Sequence, residues 1–473
     1  MLRSRKRALL LAPPDRNENV AGLARTPATR ATVPPSASIV STIVAFSIAC
    51  SAASSIPQFS NSAVAVEQKP SCFNPGSQMK NNQTDMPNTE GALTGVRILD
   101  LTDERAIYGA KLLADLGADV VRPEPPEGDP LRARGPHREA DAGMTSLWHR
   151  YFASNRRAFR VDTATEEGAA QLRQLAQAAD IVLTCMHGFG ADVLEVSAAL
   201  EANPSLVVVE TSSFGADGPW RDYLAPDLVA GALGGAVATT GDVDTPPLKT
   251  FGELNFMVSG AYVAIAALSA LNHARERGEG QRVHVPVHEC IASCLEHVLM
   301  WNWYSHTRPM RQDKSLARRG SLHWSNAYVV MQAVGGSIMV TPTPDVDAQL
   351  AWMIEEDAHD DLIDPKYLEL ENRPAFITRM MELLHQWVGT REVEDLMHDA
   401  QSRHCPYGWV LPIERVADNP QLEARDWWTE YPDGVRGPGA PYHFSATPWA
   451  MHGYEPAQDA DALFAELDWG TQS

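Results

Sequence analysis

From Val96 onward short apolar runs alternate with amphipathic stretches, and this alternation limits the possible folds more than any other feature of the chain. VRILDL at 96–101 reads as a strand, AKLLADLG as a helix and ADVVRPEP as a second strand, which together make one βαβ unit. The order then repeats. Phe159 to Asp162 is a short strand, TATEEGAAQLRQLAQAA an amphipathic helix with a Thr cap and early acids, and DIVLTC a further strand. VSAALEANP follows as helix and SLVVVETSSFG as strand and turn. The pattern predicts an α/β domain with a Rossmann-like, mostly parallel sheet covered by helices on both faces.

The turn after the first strand, DLTDERAIYG, lacks the GxGxxG spacing that lets backbone approach a pyrophosphate, which disfavours an NAD or FAD enzyme. From Asp227 to about Arg275 the chain is Ala-, Gly- and Leu-rich helix, and Gly278 and Gly280 in RERGEGQRVHVPV mark a turn into a strand. Residues 310–325 are basic and polar and read as a crossing loop. After it come a strand pair around VGGS, helices through Gln386 and Met397, and a Trp- and Pro-rich tail. The expected organisation is a large α/β domain over 91–314, a smaller α+β domain over 315–412, and a segment over 413–473 that returns to the large domain.

Residues 1–78 differ from the rest, with eight Lys or Arg against three acids in a chain of net charge −21. Their one apolar run, Ile39 to Cys50, is 12 residues, too short for the roughly 20-residue demand of a bilayer. A secretory signal, an Arg- and Ser-rich mitochondrial leader, and a start assigned too far upstream of Met79 all fit this composition. The short run leaves no membrane partner expected, and the strongly acidic balance repels phosphate backbones, so no nucleic acid is expected either. Six scattered cysteines suit free thiols in a reducing compartment, cytoplasmic or, with a transit peptide, mitochondrial. Cys290 and Cys294 lack a second pair at zinc spacing and read as core, so no metal is expected.

Six blocks occur in order: GALTGVRILDLT with KLLADLGADVVRPEPPEGDPLR; ASNRRAFRVDTATEEG; SSFGADGPWRDYLAPDLVAGALGGAVATTGD; RGEGQRVHVPV; ADNPQLEARDWW; and GAPYHFSATP. In order and spacing they resemble the class III (CaiB/BaiF-type) CoA-transferases, from Gly91 to Trp469. The resemblance implies transfer of CoA from an acyl-CoA to a carboxylic acid through an aspartyl mixed anhydride and an aspartyl-CoA thioester, with no tightly bound cofactor. Asp227 stands at the position of the nucleophile. Its bland alternative is a cap on the helix it begins, and the two roles are compatible because helix-terminal N–H groups favour negative charge. Arg122, Asn155, Arg156 and Arg157 match positions at the CoA site, against the alternative of ordinary surface charges. Asp129 and Arg132 read as residues that order a loop. The family likeness also implies an interlocked homodimer of ring-shaped chains, with linkers at 310–325 and about 415–428.

The chain departs from the pattern at several places. The glycine run of some members is reduced to Arg319-Gly320-Ser321; Ala106-Ile107-Tyr108 and Thr184-Cys185-Met186 replace usual triplets; His284 replaces an Asp. His187 and His284 read as structural, and Trp301, Trp303 and Tyr304 as core aromatics. A 2-methylacyl-CoA racemase on the same fold needs a base before the aspartate, where this chain has Pro226, although Glu253 stands near the second acid's place. A catalytically degenerate acyl-CoA-binding member is the third reading.

Overall fold

The computed structural model describes residues 91–469 except 141–142, 242–244, 296–297, 301–302, 304–328, 343–345, 433 and 468. The 1–78 extension, the basic stretch 310–325, Gly320, Trp301 and Tyr304 lie outside the described residues.

Six parallel strands form the central sheet: β1 (Arg97–Leu101), β2 (Asp119–Glu124), β5 (Arg157–Arg160), β6 (Ile181–Cys185), β7 (Val207–Ser212) and β8 (Gln281–Pro286). A polar hairpin, β3 (His137–Ala140) with β4 (Gly143–Ser146), intervenes in the chain but forms its own two-stranded sheet. The spatial order β5-β2-β1-β6-β7-β8 reverses direction between β1 and β6. In α/β sheets the carboxyl ends of strands beside such a reversal open a crevice.

Burial on both faces explains the apolar runs IVL of β6 and VVV of β7. One face sets Ile98, Val120, Leu183 and Val209 against helices α1 (Ile107–Asp115) and α6 (Leu254–Arg277). The other sets Leu99, Val121, Val182 and Val208 against α3 (Glu166–Ala178) and α4 (Val196–Ala202). Between them in the chain lies α2 (Leu147–Phe152), and α5 (Asp227–Leu233) precedes α6. Thr165 caps α3 by accepting from the Gly168 N–H, with Glu166 and Glu167 in the first turn, as the sequence predicts. Helix α6 ends where Gly278 turns left-handed at φ 71°. α6 is long and apolar enough to cross a membrane, yet half of its apolar window is buried against the sheet and α1. Their contact is very close: a Cβ on Gly109 of α1 would lie 2.5 Å from the Gly260 carbonyl oxygen of α6.

A second, antiparallel sheet joins β9 (Val329–Ala333), β10 (Gly336–Val340) and β11 (Gly408–Trp409), with a separate core of Met331, Ile338, Trp352, Met380, Leu384 and Tyr407. Its helices are Val346–Glu355, Arg373–Val388 and Val393–Ser402. The chain then comes back to the large sheet. Gln458 N–H donates to the Ala158 carbonyl at 2.8 Å, Arg160 N–H donates to the Gln458 carbonyl at 3.1 Å, and Leu463 and Trp469 enter the α3-side core. These residues cover the free edge of β5.

Candidate active site

Pro226, with extended backbone at ψ 158°, delivers Asp227 as the first residue of α5, where the residue is 6% exposed. The carboxylate does not cap its own helix. Oδ1 accepts the Phe256 N–H at 3.1 Å, and Oδ2 accepts from Asn255 Nδ2 at 2.9 Å, so Asp227 caps α6 from outside. Asn255 Nδ2 also reaches the Asp227 backbone oxygen at 3.3 Å. The amide fits because α5 has a glycine beneath it: a Cβ on Gly231 would lie 2.7 Å from Asn255 Nδ2.

A short run of contacts leads from this carboxylate to the strand ends. Ser259, one turn further along α6, places Oγ 2.5 Å from the Arg105 carbonyl oxygen. The Arg105 guanidinium pairs with Asp103 just after β1 and donates to the Met186 carbonyl just after β6 at 2.9 Å. Asp227 is thus tied to the carboxyl ends of the two strands at which the sheet order reverses.

The four residues expected at the CoA site all have partners within the chain. Arg122 is buried between Asp100 at 3.0 Å and Asp129 at 2.7 Å. Arg156, also buried, donates to Asp100 Oδ2 at 2.5 Å and to the Ile107 carbonyl at 3.0 Å. Asn155, at φ 58°, bonds Asp115 at 2.9 Å and the backbone of Ala450 and His452. Arg157 is partly exposed and pairs with Asp119 at 2.5 Å. Of the four only Arg122 borders a cavity of about 110 Å³ at the ends of β1 and β2, lined also by Asp100, Thr102, Asp103, Pro125 and Phe189.

Burial alone would raise the Asp100 and Asp129 carboxyls, but neighbouring arginines win: Arg122 and Arg156 hold Asp100 below the usual range, and Arg122 with His149 holds Asp129 well below it. Burial pushes His149 down, against the pull of Asp129. Glu124, Asp129 and His149 are close enough to share a metal ion, yet Arg132 pairs with Glu124 and Arg122 with Asp129. Cations already neutralise this cluster. Asp129 also accepts the Leu131 N–H and so orders the Pro130–Ala133 turn.

Glu253, near the place of a racemase's second acid, is paired with Arg134, and Pro226 offers no side chain that moves a proton. His187 is exposed at φ 63°, and His284 stands on β8 beside Glu210. Cys185 is buried and its thiol is pushed well up by burial and then by Asp103, which disfavours a thiolate nucleophile. Two core readings need correction: Trp303 is 57% exposed, and of the cysteine pair only Cys290 is buried, because Cys294 lies on the outer side of its helix end. Asn255 was not signalled by any motif. Its one trace in the sequence is a lone amide at the start of an otherwise apolar helix, LNFMV.

Comparison with known proteins identifies the family. The chain is 29% identical over 372 residues to the BbsE subunit of succinyl-CoA:(R)-benzylsuccinate CoA-transferase of Thauera aromatica, covering 75% of this chain and 88% of the relative. It is 29% identical over 378 residues to succinate–glutarate CoA-transferase of Agrobacterium fabrum, covering 77% and 92%. The crystal structure of a CaiB/BaiF family protein from Brucella suis superposes with a TM-score of 0.70 at 25% identity, over 80% of this chain and all of that one. Residues 93–462 match the profile of CoA-transferase family III, and the chain belongs to that family.

Proposed function

We propose that this CoA-transferase moves CoA from an acyl-CoA to a carboxylic acid by covalent catalysis on Asp227. The carboxylate adds to the thioester carbonyl and expels CoA thiolate, leaving a mixed anhydride. The thiolate then adds to Cγ of Asp227 and expels the donor acid, which leaves an aspartyl-CoA thioester. An acceptor carboxylate attacks that Cγ, releases the thiolate and forms a second anhydride; attack of the thiolate on the acceptor's acyl carbon frees its CoA ester and restores Asp227. The sequence balances with thioester, thiolate and carboxylate alone. One observation carries the reading: a buried carboxylate at the nucleophile's family position, held on both oxygens by donors and tied to the reversal of the sheet. The two relatives named above act, by their names, with succinate or its CoA ester, which supports an organic acid as acceptor here.

In this reading Arg122 and Arg156 shape the CoA site from below through Asp100 and Asp129, whereas Asn155 and Arg157 stand at the amino end of β5, paired with Asp115 and Asp119 away from the strand ends that form the site. A homodimer is part of the proposal. Leu224 (89% exposed), Leu228, Phe251, Leu254 and Ile265 leave apolar surface on α5, α6 and the segments that lead into them, which a second copy would cover.

Incubation with an acyl-CoA followed by hydroxylamine tests the mechanism, with a hydroxamate expected on Asp227. Asp227→Ala should abolish transfer while the fold and CoA binding persist. A label on Cys185, or on no residue, would rule the mechanism out.

A further inference from the structure

We infer that Asn255 is a catalytic residue: its side-chain amide is the oxyanion donor for the tetrahedral intermediates formed at Cγ of Asp227. The inference rests on Asp227 being the nucleophile. It starts from the arrangement of donors, one for each carboxylate oxygen, with Asn255 on Oδ2 and the Phe256 N–H on Oδ1. When one oxygen bonds to the acyl carbon, the other becomes the carbonyl oxygen of the anhydride. That oxygen takes the negative charge when sulfur adds to Cγ.

The geometry assigns this task to Oδ2. Its bond to Asn255 is the shorter of the two, and the same NH₂ group also holds the Asp227 backbone oxygen, so the amide is fixed relative to the carbon under attack. Asn255 is itself 8% exposed, and the missing side chain of Gly231 makes its seat. A donor already in place before charge develops needs no reorganisation during the step. Oδ1 then attacks the substrate. Its N–H partner lies in the first turn of a 24-residue helix, which tolerates the charge before attack.

Two of the four steps are affected. Thiolate addition to the anhydride at Cγ, with loss of the donor carboxylate, places charge on Oδ2; so does carboxylate addition to the aspartyl thioester, with loss of thiolate. The first and last steps place charge on the substrate's own carbonyl oxygen, which Asn255 does not touch.

Intact-protein mass after rapid mixing with succinyl-CoA reads the CoA adduct, and a thiol reagent reads free CoA. In Asn255→Leu, of similar size and without a donor, adduct formation should fall by about 10²–10³-fold, while a burst of free thiol persists because the released CoA is not recaptured. Asn255→Asp keeps the shape and guards against misfolding of the first variant. It should be slow at neutral pH and recover as pH falls, because a protonated carboxyl donates to Oδ2. Gly231→Ala, which displaces the amide, should give the Leu variant's signature.

Adduct formation within about fivefold of wild type in Asn255→Leu, or a flat pH profile in Asn255→Asp, overturns the inference and leaves the aspartyl mechanism standing. Absence of any adduct on Asp227 in the wild-type protein removes that mechanism, and this inference with it.

Discussion

The hydroxyl of Tyr454 lies 2.8 Å from Nδ1 of His149, joining positions 305 residues apart. Asp129 is 3.1 Å from the other ring nitrogen and can only accept, so Nε2 carries the proton and Nδ1 accepts from tyrosine. A neutral ring satisfies both partners. Arg132 also donates to the Tyr454 hydroxyl at 2.5 Å, and Glu124 and Arg122 close the surrounding charges.

This neutral histidine predicts an acid-side loss of stability. Burial depresses His149 in the folded chain below its ordinary value of 6.5, so below that pH the unfolded chain binds a proton that the folded chain refuses. Stability contributed by the neutral ring is complete above about pH 6.5 and declines below it, by at most about 1.4 kcal/mol per pH unit, until the folded pKa is passed. His149→Gln should flatten the melting temperature between about pH 6.5 and 5. The depressed carboxyls Asp100 and Asp129 act in a separate window, below their ordinary 3.8. Melting curves across pH for both proteins check this, and parallel curves would reject it.

Removal of Arg156 should be costly. Asp100 is fully buried and shared by Arg122 and Arg156, so Arg156→Ala leaves a buried carboxylate half compensated, at about 3–5 kcal/mol. Arg157→Ala, in a partly exposed pair, should lose no more than about 1 kcal/mol. Chemical denaturation separates the two, and equal losses would contradict the burial argument.

Gly109→Ala should destabilise although alanine is the better helix former by about 1 kcal/mol. Its Cβ would meet the Gly260 carbonyl at 2.5 Å, a backbone atom that cannot turn aside. The crossing of α1 and α6 must open, with a net loss of about 1–3 kcal/mol by denaturant titration. A gain in stability would show that the helices have room to part.

If the chains interlock as the family likeness implies, the dimer is insensitive to dilution. Light scattering should hold near twice 51.7 kDa over about a hundredfold dilution and fall only with unfolding. A fall to monomer with helicity intact would point to an ordinary interface or none.

The sheet was legible because β6 and β7, buried on both faces, open with the apolar runs IVL and VVV, and the α3 cap because Thr165 and two acids stand together. The β3–β4 hairpin was not, since HREA and GMTS carry no apolar alternation. Within the site, family likeness pointed to Asp227, but the groups that hold it lie 28 and 29 residues away, beyond any local spacing. The partners of the arginines were hidden for the same reason. Arg122 and Arg156 meet Asp100 across 22 and 56 residues, so the sequence displays free cations where the fold makes pairs.

The return of residues 450–469 to the outer strand has a consequence for synthesis. Residues 158–160 leave the ribosome some 300 positions before Gln458, the residue that pairs with them. Until then β5 presents an uncovered edge, and Leu463 and Trp469 are missing from the core beneath it. The large domain, although most of its sequence comes first, therefore finishes last, after the smaller sheet has emerged whole. A nascent chain stalled before residue 450 should be a client for chaperones, with an exposed strand that any neighbouring copy on the same messenger can pair.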